Sequence, residues 1–99
     1  MEDLKGQVAL VTGAGSGVAD SAACAGLVAR TLERFGRLDC ACNNAGIGGE
    51  QNLTADYSDE GWQQVIDVNL SGVFYCLKHE IAAMLAGGGG AIVNMASIL

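Results

Sequence analysis

The sequence predicts an α/β fold in which three short parallel strands alternate with helices in the order β-α-β-α-β. Three observations predict it. Short apolar runs stand at 7–12, 38–43 and 91–96, segments with apolar residues at helical spacing lie between them, and glycine clusters at 13–17, 46–49 and 87–90 mark the joints. Alternation of this kind implies parallel strands joined by right-handed crossovers. Two crossovers progressing in one direction put the helices mainly on one face of the sheet, so the other face is expected to lack cover in this chain.

The first strand, 7–12, ends in Val8-Ala9-Leu10-Val11-Thr12 and runs into Gly13-Ala14-Gly15-Ser16-Gly17. Glycines at alternate positions after a buried strand leave the backbone open to close approach by a phosphate. Asp20 and Ser21 offer an N-cap for the first helix. Cys24, Leu27, Val28, Thr31, Leu32 and Phe35 then recur at helical spacing, and Gly36 ends the helix. The second strand, Leu38 to Asn43, closes in Asn43-Asn44-Ala45-Gly46, and residues 47–58 are a polar loop. Ser58 caps a second helix that runs to about Ala86, with Asp59 and Glu60 suiting its positive end. Trp62, Val65, Ile66, Asn69, Val73, Leu77, Ile81 and Met84 track one face of it, which makes Asn69 a polar residue on an apolar stripe. Gly87 to Gly90 stop this helix, and Ala91 to Ala96 form the third strand.

Composition narrows the class of function. The 99 residues allow one domain with a thin core, and 51% hydrophobic residues argue against disorder. Eleven acidic against five basic residues give a net charge of -6, which excludes a nucleic-acid or anionic-membrane partner. The acidic start Met1-Glu2-Asp3-Leu4-Lys5 lacks a signal-peptide pattern, and no apolar stretch is long enough to span a bilayer, so a cytoplasmic protein is expected. Without an export signal, Cys24, Cys40, Cys42 and Cys76 are expected as small core residues, not as a disulfide framework or a zinc site. Alternation along the strand puts Cys40 and Cys42 on one face.

Four motifs, in order, resemble the short-chain dehydrogenase/reductase family. They are the glycine loop Thr12-Gly13-Ala14-Gly15-Ser16-Gly17, then Asn43-Asn44-Ala45-Gly46, then Asp67-Val68-Asn69-Leu70, then Val93-Asn94-Met95-Ala96-Ser97. The resemblance implies a partial Rossmann-like fold of the doubly wound type, with residues 1–99 as a single partial dinucleotide-binding domain. It implies NAD or NADP as cofactor, bordered by Gly13, Ser16, Gly17, Asn44, Ala45 and Gly46. A basic residue often precedes the second signature glycine in NADP-using members, and Ser16 is not basic, which leans toward NAD. Ser97 and Asn69 take the catalytic positions: Ser97 to hold the carbonyl of an alcohol or carbonyl substrate, Asn69 to hold a proton relay to a lysine.

The match has gaps. The family inserts a helix, a ribose-reading strand, a second helix and a third strand after the glycine loop, whereas here Gly17 runs directly into Val18-Ala19-Asp20. An internal join near Gly17–Val18 is expected, and the family's last loop glycine falls on Ala19. Asp20 brings a carboxylate to the helix start, where it repels a diphosphate and competes for the same N–H groups. Asp39 stands at the spacing of a ribose acid, but at the start of a strand, away from the ligand edge, and is rejected in that role. The family's Tyr-x-x-x-Lys is missing: Tyr57 and Tyr75 are followed four positions later by Gly61 and His79. The expected reading is therefore an oxidoreductase-family fragment, shortened internally and at its C-terminus, and inert alone. The alternative is a non-catalytic α/β interaction module or decayed gene product with little nucleotide binding, able to self-associate through its uncovered sheet face.

Overall fold

A computed structural model describes residues 5–13 and 17–96. Three four-residue strands, β1 (Ala9–Thr12), β2 (Cys40–Asn43) and β3 (Ala91–Asn94), form one parallel sheet in the order β1-β2-β3. The register pairs Ala9 with Cys40 and Thr12 with Asn43, then Cys40 with Ala91 and Asn43 with Asn94. The three strands are therefore flush at both edges. Leu38 and Asp39, read as strand, precede β2, and Met95 and Ala96 follow β3.

Helix α1 (Ser21–Phe35) joins β1 to β2. Of the two candidate caps it is Asp20 that serves, its Oδ1 accepting from the Ala22 N–H at 2.9 Å. Gly36 closes the helix in a left-handed conformation (φ 78°), its N–H donating to the Leu32 carbonyl at 2.7 Å. A short 3₁₀ turn, Gly17–Ala19, leads into α1.

The long second helix is continuous but not uniform. Helix α2 (Asp59–Ile66) starts at Ser58, whose Oγ accepts from the Gly61 N–H. A π-helical turn, Asp67–Ser71, follows, and α3 (Gly72–Ala86) completes the crossover. The Gly72 N–H reaches back five residues to the Asp67 carbonyl, as a widened turn requires. The extra residue rotates everything beyond it. The buried stripe is Val68, Gly72, Cys76, Glu80 and Met84, and the apolar residues Trp62 and Ile81 face solvent. This corrects part of the stripe inferred from apolar spacing: Met84 is buried and Val65, Ile66, Val73 and Leu77 are half-buried, but beyond the turn Ile81 gives way to Glu80, and Trp62, before it, is exposed. Asn69, placed on that stripe, is exposed instead.

Both crossover helices lie on the same side of the sheet, packed on one another. The core lies between them and the inward strand residues. One cluster joins Val18, Cys24, Val68 and Cys76, and the other joins Val28, Leu38, Ala41 and Met84 with Leu10 and Ile92 against it. The opposite face has no helix among the described residues, and Val11 and Val93 on it are 64% and 57% exposed. Cys40 and Cys42 share that outer face and are half-buried, so they are not core residues as first expected, while Cys24 and Cys76 are.

Candidate functional site

The carboxyl edge of the sheet is where an open α/β fold binds ligands, because strands end there and their loops turn away. Thr12 ends β1 as a buried residue, 5% exposed. Its Oγ1 accepts from the N–H groups of Asn44 and Ala45 at 3.0 and 3.2 Å, so one hydroxyl fixes the start of the loop after β2. The other end of that loop is fixed from the π-turn. Asn69 Oδ1 accepts from the Ile47 N–H at 2.9 Å, and Asn69 Nδ2 donates to the Ile47 carbonyl at 2.8 Å. The widened turn is what brings Asn69 round to this loop. Gly46 fits beneath the clamp because it has no side chain: a Cβ there would sit 3.3 Å from Asn69 Oδ1.

These contacts shape a cleft of about 570 Å³ lined by Asn44, Ala45, Gly46, Asn69, Val73 and Met95, among others. Four of the residues singled out from sequence, Asn44, Ala45, Gly46 and Asn69, thus come together. Gly13 is exposed at the same edge, after Thr12, but does not line the cleft. Gly17 opens the 3₁₀ turn before α1. Ser16 and Ser97 lie outside the described residues.

Beneath the cleft, a buried polar group escaped sequence reading. Asn43 Nδ2 donates to Glu80 Oε1 at 3.0 Å and to Asn94 Oδ1 at 2.9 Å. Burial pushes the Glu80 carboxyl above its ordinary value, and the Asn43 hydrogen bond opposes the shift only in part. Thr12 was equally overlooked as a tie. A hydroxyl residue closing an apolar strand beside a glycine is the signal that marks it. Glu80 had no such signal, because acidic residues on helices are usually solvated.

At the opposite edge, Asp39 Oδ2 accepts from the Val8 N–H at 2.8 Å, and the carboxylate pairs with Arg37. The Arg37 guanidinium, with help from that N–H, holds the Asp39 carboxyl below its usual range. Asp39 is a clip on the amino edge, far from any ribose. His79 is half-buried, with Nε2 3.1 Å from Ser21 Oγ across the α1–α3 seam.

A family model described as enoyl-(acyl carrier protein) reductase matches residues 4–99. A protein named as a short-chain dehydrogenase/reductase in Aspergillus oryzae (strain ATCC 42149 / RIB 40) is 46% identical over 72 residues, which are 72% of this chain and 28% of that protein. This chain belongs to the short-chain dehydrogenase/reductase family. The cyclohexanol dehydrogenase of Acinetobacter sp. (strain SE19) is 60% identical over 67 residues, 68% of this chain and 27% of that protein. The short-chain dehydrogenase/reductase chain here therefore spans little more than a quarter of the length of either relative. Among solved structures, NAD+-bound xylitol dehydrogenase superposes with a TM-score of 0.78 at 33% identity, covering 83% of this chain and 32% of that one. ElxO with NADP bound gives 0.75 at 32% identity, covering 82% and 33%.

Among the described residues no helix is long and apolar enough to cross a membrane. No group of three or more His, Cys, Asp or Glu among them is placed to hold a metal ion.

Proposed function

We propose that these residues form part of an NAD(P)-dependent oxidoreductase unit acting on an alcohol or carbonyl compound, and that the 99-residue chain is catalytically inert by itself. The observation that carries the reading is the cleft at the carboxyl edge, where Asn44, Ala45 and Gly46 meet Asn69. The Asn44–Gly46 loop, held at its start by Thr12 and lining the cleft, suits the adenosine side of a dinucleotide, and the cleft volume is ample for a nucleoside. The diphosphate cradle fits less well. The Ala22 N–H at the start of α1 is taken by Asp20, and its carboxylate disfavours a second anion there.

Bound NAD or NADP supplies the hydride acceptor or donor of the family's reaction. The proton that must move with the hydride has no carrier here, since no Tyr-x-x-x-Lys occurs in the sequence. Ser97 takes the position that holds a substrate carbonyl. Asn69 acts as a positioning residue, holding the cofactor loop through Ile47. Gly13, Ser16 and Gly17 border the cofactor, and NAD is preferred over NADP because Ser16 is not basic. Residues 1–99 act as a single unit in the cytoplasm.

Titration with NADH, followed by fluorescence or calorimetry, tests the reading. Weak binding, with Kd on the order of 1 mM, is expected. Oxidation of secondary alcohols above the rate of a Ser97→Ala variant refutes inertness, and no NADH binding at any concentration refutes the cofactor site. A second reading, a non-catalytic interaction module, is favoured by the bare outer sheet face bearing Val11 and Val93. In that reading the partner is a second copy of this chain.

A further inference from the structure

We propose that Cys24 and Cys76, core thiols while reduced, close into an intramolecular disulfide that fastens α1 to α3 when the chain meets a disulfide oxidant. The two sulfurs lie 3.4 Å apart, 52 positions apart in the sequence, in the seam between the helices. Cys24 is 1% and Cys76 4% exposed, both in the same core cluster, and both are free thiols. A disulfide brings the sulfurs to ~2.05 Å, so the helices need to yield by little more than an ångström in total. Cys24 sits in the first turn of α1 beside the short 3₁₀ turn, with Sγ also 3.4 Å from the Val18 carbonyl. The end of an element gives more readily than its middle.

The sheet enforces the pairing. Cys40 and Cys42 are two residues apart on one strand, on the face away from the helices, and the sheet itself lies between them and the seam. Neither can reach Cys24 or Cys76 while the fold is intact.

The oxidant is a small-molecule disulfide such as oxidised glutathione. Burial raises both thiols above their ordinary value, Cys76 to about 12. The hydrogen bond from Cys76 partly offsets this at Cys24. Both thiols are covered, so attack takes place in molecules whose α1–α3 seam has opened. In the opened molecule one of the two thiolates attacks the small disulfide, forming a mixed disulfide and releasing one thiol. The other thiolate then attacks the protein sulfur of that mixed disulfide, forming the protein S–S bond and releasing the second thiol. The protein loses two protons and two electrons, and the small disulfide gains them.

The test is to incubate the folded chain with oxidised glutathione, block remaining thiols with N-ethylmaleimide, and map the products by mass spectrometry. Cleavage with trypsin and a protease cutting after glutamate separates Cys76 from Cys40 and Cys42 at Glu50 and Glu60. A Cys24–Cys76 link is expected as the dominant product, with a rise in Tm of about 10 °C. A Cys40→Ser, Cys42→Ser double variant keeps both effects, and Cys24→Ser loses both. Four blocked thiols, a dominant link through Cys40 or Cys42, or the same mixture as in strong urea overturns the proposal.

Discussion

Asn43 and Glu80 are joined by a 3.0 Å hydrogen bond between β2 and α3, and each keeps a buried oxygen without a partner. The same Asn43 amide holds Asn94, so a single side chain ties the helix layer to the ends of two strands just before the loop that follows β2. Glu80 is 1% exposed and forms no ion pair among the described residues. A carboxylate in such a place costs far more than a carboxylic acid. Protonation also turns one unpartnered oxygen into a donor, in a site where both unpartnered atoms are acceptors.

Glu80 therefore makes stability depend on pH. Its folded pKa lies above the unfolded value, so the folded state holds this proton more tightly. Below the unfolded value no penalty exists. The penalty grows as pH rises toward the folded value and is complete above it. Glu80→Gln mimics the neutral acid and adds an N–H₂ donor. Urea unfolding across a pH series should show the variant equal to the parent near pH 4 and more stable by about 1 kcal/mol at pH 8. A parent that gains stability relative to Glu80→Gln as pH rises contradicts this account.

Thr12 is expected to matter more than its size suggests. Thr12→Val keeps shape and removes the oxygen that takes two N–H groups, leaving those of Asn44 and Ala45 to find water. A loss of about 1–3 kcal/mol follows. Thr12→Ser keeps the oxygen and should lose less than half of that. Hydrogen exchange locates the effect, with faster exchange at Asn44 and Ala45 in the valine variant only. Asn69→Ala, by contrast, should speed exchange at Ile47 with a smaller global cost, because that clamp is exposed.

How far the sequence led depends on which residues carried a local signal. The sheet order and the placing of both crossovers on one side followed from the spacing of apolar runs and glycines, since parallel strands leave few topologies. The Asp20 and Ser58 caps and the Gly36 stop were legible because each acts within a few residues of its own helix. The π-turn at Asp67–Ser71 was not legible. One extra residue in a turn leaves no mark on composition, yet it moves Asn69 out to the loop and puts Glu80 into the core. The cleft was half legible: the motif residues were found, but the Thr12 and Asn69 ties that fix the loop are long-range contacts.

Gly72 and Gly26 should respond to alanine with opposite signs. Both are helical, so alanine contributes about 1 kcal/mol of helix propensity in each. At Gly26 the added Cβ meets only the flexible end of Arg30 at 3.4 Å, and a net gain is expected. At Gly72 it lands 2.8 Å from Val18 Cγ2 and 2.9 Å from the Val18 carbonyl, where the 3₁₀ turn presses on α3. Backbone there must shift, and a net loss of about 1–3 kcal/mol is expected. Thermal melts of the two variants check both signs.

Asp20→Ser should separate the cap from its charge. Serine caps a helix about as well as aspartate, so stability should change by no more than about 1 kcal/mol. The negative charge beside the glycine loop disappears, and the helix start becomes more hospitable to a diphosphate. NADH should bind severalfold more tightly to Asp20→Ser than to the parent in the same titration. Equal affinity places the weakness of the site elsewhere than in this carboxylate.

The outer sheet face sets the last expectation. Ala9, Val11, Ala91 and Val93 project from the two edge strands, β1 and β3, on the side without helices, and Val11 and Val93 remain more than half exposed. Parallel sheets are normally covered on both faces, so an apolar surface of this kind favours association over solvation. A net charge of -6 opposes association at long range, and salt weakens that opposition. Sedimentation should therefore show self-association that strengthens with ionic strength. A Val11→Lys, Val93→Lys double variant should remain monomeric, since two cations on one face make stacking against a second copy unfavourable. Neither residue is in the core, so the far-UV spectrum and the melting temperature should stay close to the parent's. A parent that sediments as a monomer in high salt removes the second copy as the partner of this face.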